Sequence, residues 1–131
     1  MAKVDWHKVL GWDEDQIDDI RHVGYAYIRQ GKYDIALSFF EALVVLCPDS
    51  AYDCQTLGAI YLQIGNGAKA VKYLDKALKA DADHAPTLLN LAKAFFLLGK
   101  KEEGLKLAHL LENERSAFVS NTAKALILAY G

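Results

Sequence analysis

Few residues in this 131-residue chain could do chemistry, and their spacing points to structure instead. Five carboxylates, Asp13, Glu14, Asp15, Asp18 and Asp19, crowd one short stretch. Paired carboxylates can act as general acid and base or hold a divalent cation. Acidic residues in the first turn of a helix also complement its positive end, and the amphipathic run that follows favours that reading. His7, His22, His84 and His109 are scattered, with no HExxH or other paired-ligand spacing. Cys47 and Cys54 are too few to staple a secreted scaffold; their apolar surroundings suggest buried or half-buried free thiols. No GxxxxGK[ST], GxGxxG or GxSxG motif is present. Lys69, Lys72, Lys76 and Lys79 form a basic stripe at helical spacing, interrupted by Asp75, and read as a solvated face. No catalytic residue, metal ligand or cofactor is assigned, and the chain is read as a non-enzyme.

The positioning elements follow from composition and period. Hydrophobic residues make up 53% of the chain and charged ones 24%, which places it among folded proteins. A net charge of −2 argues against a nucleic-acid partner, which would need a basic excess to displace counterions. No apolar run approaches the roughly 18 residues of a membrane span, so no direct membrane insertion is expected. The opening MAKVDWHKVLGWDED lacks the basic start and apolar stretch of a secretory signal. A soluble, cytoplasmic protein is therefore expected.

Apolar residues recur at helical spacing along almost the whole chain, and no sustained period-2 alternation is seen. A second period is superimposed on the first. Gly31, Gly65 and Gly99 are 34 residues apart, as are Gly24, Gly58 and Ala92, and Tyr27, Tyr61 and Phe95. Ala36, Ala70 and Gly104 keep the interval, followed by Phe40, Leu74 and Ala108. Each unit reads as two antiparallel helices, with small residues where the helices cross and a glycine where the first one ends. The spacing predicts helices over 14–30 and 33–46, 51–64 and 67–80, and 85–98 and 101–113. A short helix carrying Trp6 is expected over 4–10. Ser116 is expected to cap a last helix running to about Tyr130, because a solenoid must cover the apolar face of its final unit.

A 34-residue helix pair with Val23-Gly24, Tyr27, Gly31-Lys32-Tyr33, Ala36, Phe40 and Pro48, then Leu57-Gly58, Tyr61, Gly65, Ala70, Leu74 and Ala77, resembles the tetratricopeptide repeat. The third unit matches at Leu91, Ala92, Phe95, Gly99 and Gly104 but has Ala108 where a bulky residue is usual. The resemblance implies an all-α fold of three tandem repeats (17–50, 51–84 and 85–118) in a short right-handed superhelix with a concave groove. An N-terminal segment (1–16) precedes them and a C-terminal capping helix (116–131) follows. The GKYxxAxxxFxxL stretch from Gly31 to Leu43 and the LGAxxxxxG stretch from Leu57 to Gly65 narrow this further. They are similar to the repeat chaperones of bacterial type III secretion systems.

That resemblance implies a bacterial cytoplasmic chaperone whose partner is a secreted helical protein, either the needle subunit or a hydrophobic translocator. The needle-subunit branch often includes a second small helical co-chaperone. Only sixteen residues precede the first unit, which favours that branch. Sheltering an apolar helical face in the groove would then prevent premature polymerisation and keep the subunit ready for export. The inward-facing repeat positions are Arg21, Tyr25, Ile28 and Arg29; Tyr52, Gln55, Ala59, Leu62 and Gln63; and Leu89, Lys93, Phe96 and Leu97. Positions that clamp the terminal carboxylate of EEVD tails in other repeat proteins carry Arg21, Tyr25, Thr56, Pro86 and Asn90, so such a tail would be poorly held. Trp6, Val9, Leu10 and Trp12 form an apolar cluster ahead of the repeats, read either as packing on the first unit or as a second interface.

Overall fold

A computed structural model describes residues 10–131, which form seven α-helices: α1 (Glu14–Arg29), α2 (Tyr33–Leu46), α3 (Ala51–Gln63), α4 (Gly67–Ala80), α5 (Ala85–Leu97), α6 (Lys101–Leu111) and α7 (Ala117–Tyr130). No strand occurs among the described residues. The helix expected over 4–10 lies, apart from Leu10, outside them.

Local chemistry explains the starts. Asp13 and Gln16 close a reciprocal capping box on α1: the Gln16 N–H donates to Asp13 Oδ1 at 2.9 Å and the Asp13 N–H donates to Gln16 Oε1 at 3.0 Å. Glu14 and Asp15 fill the first turn, so with the Asp13 cap three of the five clustered carboxylates serve helix initiation. Ser50, Asn66 and Ser116 accept backbone N–H bonds at the starts of α3, α4 and α7.

The ends are as regular. Gly31, Gly65 and Gly99 have φ of 73°, 87° and 77°, a left-handed conformation that favours a residue without a Cβ. At each, the glycine N–H bonds back to residue 28, 62 or 96, and the next N–H to the carbonyl of Tyr27, Tyr61 or Phe95. The aromatic column thus supplies the carbonyl that closes each turn. The end of α6 falls two residues short of the predicted 113, where the Glu114 N–H bonds to Leu111.

Helices pack in chain order, with α3 also meeting α5 and α5 meeting α7. The small-residue columns mark true close approaches. A Cβ on Gly24 would lie 2.8 Å from the Phe40 ring, and one on Gly58 would lie 2.7 Å from Leu74 Cγ. The main core runs continuously from Ile17 through Phe40, Leu57 and Leu74 to Leu91 and Ala94, so neighbouring units share it. A separate cluster of Leu89, Leu111, Val119 and Ala123 fastens α7 to the third unit.

Candidate functional site

Side chains of α1 and α3, the first helices of the first two pairs, meet where the repeat resemblance puts the inner face. Tyr25 of α1 meets Tyr52 of α3 with ring centroids 6.1 Å apart and planes within 10°. Both rings remain open to solvent, at 39% and 43% of their full exposure. The Arg29 guanidinium lies 5.8 Å from the Tyr25 centroid, within cation–π reach. Burial and then the hydrogen bond to Tyr25 raise the pKa of Tyr52 well above the usual phenol value.

Beside this stack lies a cavity of about 250 Å³. Tyr25, Ile28 and Tyr33 form one wall, and Gln55, Thr56, Ala59, Ile60 and Gln63 of α3 form the other. The aromatic and aliphatic surfaces suit an apolar side chain. The Gln55 and Gln63 amides can both donate and accept, as an extended backbone requires. Tyr33 and Ile60 were absent from the sequence-derived set. Tyr33 opens α2 where the other units have Gly67 and Lys101, so the repeat lattice gave no column to find it by.

Other expected positions divide. Ile28 and Leu62 are half-buried and pack on the main core, Gln55, Ala59 and Lys93 are half-buried, and Arg29, Gln63 and Leu97 are exposed. Arg21 is not a free handle in the groove. Its Nε and Nη2 donate to the two carboxylate oxygens of Asp53, each at 2.7 Å, and its Nη1 donates to Asp18 at 2.6 Å. Leu89 and Phe96 also need correction. At 2% and 8% exposure they are buried, Leu89 against Val119 and Ala123 and Phe96 stacked on Tyr130 at 4.1 Å. The last helix covers these two inner positions of the third unit, and the Phe96 ring also fills the space left by Gly104.

Trp6 and Val9 lie outside the described residues. Leu10 and Trp12 are exposed and border two adjoining apolar depressions of about 280 and 290 Å³ with Ile20, Phe39, Ala42, Val45 and Leu46. On the opposite side, the lysine stripe is partly an aromatic cover. Lys69 lies 5.3 Å from the Tyr61 centroid, and Lys72 and Lys76 lie 5.2 and 5.9 Å from that of Tyr73. Tyr61 stacks on Tyr73 and donates to Glu41 at 2.5 Å; burial first, and then that bond, push its pKa up to about 12. Cys54 is buried and Cys47 half-buried, with burial raising both thiol pKa values. No described helix is long and apolar enough to cross a membrane.

Two stretches, 22–50 and 54–84, match tetratricopeptide repeat families. The helical array with these repeats is a tetratricopeptide-repeat fold. Mouse superkiller complex protein 3 is 30% identical over 99 residues; the match covers 76% of this chain and 6% of that protein's length. Among solved structures, a type III secretion complex from Aeromonas hydrophila superposes with a TM-score of 0.85 at 20% identity, covering 98% of this chain and 89% of that one. PcrH in complex with the chaperone-binding region of PopD gives 0.81 at 21%, covering 92% and 94%. The Yersinia enterocolitica secretion chaperone SycD, in complex with a peptide of the translocator YopD, gives 0.76 at 20%, covering 91% and 98%. At such identities the likeness speaks for the fold.

Proposed function

We propose that this chain is a non-enzymatic bacterial cytoplasmic chaperone of type III secretion, holding a segment of a secreted protein on its concave face. The observation that carries this reading is the half-exposed Tyr25–Tyr52 stack beside an apolar cavity flanked by two glutamine side chains. Such a surface suits a short segment with apolar anchors. The likeness to PcrH and SycD, which span nearly the same length, supports it.

Of the two client classes, the translocator is the better supported. The SycD structure carries a translocator peptide, and PcrH carries the chaperone-binding region of PopD. The preference for a needle subunit rested on the short stretch ahead of the first unit, and neither it nor a co-chaperone gains support from those two complexes. Internal use of Arg21 and burial of Leu89 and Phe96 favour Tyr25, Tyr52 and the cavity of the first two units as the binding surface.

Calorimetric titration with the chaperone-binding region of PopD tests the reading, together with recovery of partners from the native source. Saturable binding that Tyr52→Ala weakens by about tenfold or more is expected, along with a co-purified secreted protein. Absence of both would overturn the secretion reading, leaving a scaffold in another assembly. Leu62→Glu and Phe96→Glu are poor probes, because Leu62 is half-buried against the main core and Phe96 is buried.

A further inference from the structure

We infer that Arg21 and Asp53 are a positioning pair that holds α1 and α3 at the separation forming the Tyr25–Tyr52 groove. The inference rests on the groove being the binding site and concerns how that groove is built. Arg21 presents a two-pronged fork to Asp53, both bonds at 2.7 Å, and the carboxylate is fully buried. Its remaining donors tie the guanidinium to Asp18 on its own helix and to Cys47 Sγ, at 3.3 Å, just past the end of α2. One planar group therefore ties together three helices at the joint between the first two units. A fork of this kind fixes direction as well as distance, which a point charge does not.

The fork and the aromatic stack are neighbouring rungs. Tyr25 lies four residues after Arg21 on α1, hence one turn along the same face, and Tyr52 immediately precedes Asp53 on α3. The repeat itself supplies the control. Thirty-four residues on, Arg21 becomes Gln55 and Asp53 becomes Thr87; Tyr25 becomes Ala59 and Tyr52 becomes Pro86. Thr87 is also buried, but its hydroxyl lies 2.7 Å from His84 Nδ1, within its own segment. The ionic rung and the aromatic rung thus occur together at the first joint and are both missing from the equivalent positions of the second. A repeat-wide packing requirement would have kept the fork at both joints.

The test uses the full chain. Replacing both partners by apolar residues, Arg21→Met with Asp53→Leu, removes the fork without leaving a buried charge, an exchange that often keeps stability. In the free protein, nuclear Overhauser contacts between the Tyr25 and Tyr52 rings are expected to be lost or strongly weakened. Those between Phe96 and Tyr130 should persist, which shows that the change is local. Affinity for the PopD chaperone-binding region should fall about tenfold or more. Arg21→Lys keeps the charge without the fork and is expected to weaken the same contacts to a smaller degree; it decides the matter if the double variant does not fold. Unchanged Tyr25–Tyr52 contacts in the folded variants would overturn the inference. If the wild-type chain fails to bind the PopD segment, the binding reading fails, while the ring contacts still decide the role of the pair.

Discussion

The inner faces of the first two units and of the third occupy the same places in the repeat and meet different fates. In the first two, Tyr25 and Tyr52 stand half-open beside a cavity. In the third, Leu89 and Phe96 are sealed, because α7 lays Val119, Ala123 and Tyr130 against that unit. Repeat position tells which way a side chain points from its own helix. Whether it meets solvent depends on the element that comes next. The final helix thus gives the array a closed end opposite a half-open one.

Four experiments would break or sharpen this contrast, in descending order of expected effect. Arg21→Ala removes one partner of a buried pair and leaves the Asp53 carboxylate uncompensated, for an expected loss of about 3–5 kcal/mol in urea unfolding. Phe96→Ala opens a cavity between Gly104 and Tyr130 and should cost about 3 kcal/mol, with exposure of the third unit seen as faster amide exchange in α7. A far smaller cost would mean that α7 closes the third unit without this stack. Gly58→Ala forces a methyl against Leu74, whose backbone N is also only 3.2 Å away, and should cost about 1–3 kcal/mol through overpacking.

The fourth experiment is the counterpart on the outer side of the open units. Tyr61 is neutral and hydrogen-bonded to Glu41 in the fold, with a pKa of about 12 against about 10 in the unfolded chain. Its stabilising contribution is complete below about pH 10 and is lost as pH rises through about 12. Thermal melts across that window should steepen for the wild type relative to Tyr61→Phe. Parallel curves would show that the phenol does not carry the effect.

Much of the fold was legible because its determinants are local. The left-handed glycines, the cap at Ser116 and the small crossing residues each act within a turn or across one helix pair. The helix limits followed from them within about two residues. The site was half legible. Tyr25 and Tyr52, both in the expected inner set, do meet ring to ring, but Arg21 finds a partner 32 residues away that no period announces. Ser116 announces a last helix covering the final unit, but not that it closes over the inner positions Leu89 and Phe96. The helix that covers them begins 32 residues after α5, whereas α3 and α5 begin 34 apart, so it steps off the lattice.

The three glycine turns close their hydrogen bonds within six residues of chain. Helix pairs built on such turns have short contact paths and fold in microseconds to milliseconds, as low-contact-order chains do. The Arg21–Asp53 fork is a slower kind of event, since it must join segments from two finished pairs. During synthesis the residues of the first pair, which ends at Leu46, are made before Asp53. Of its two carboxylate partners in the fold, Arg21 has only Asp18, three residues away, until Asp53 follows.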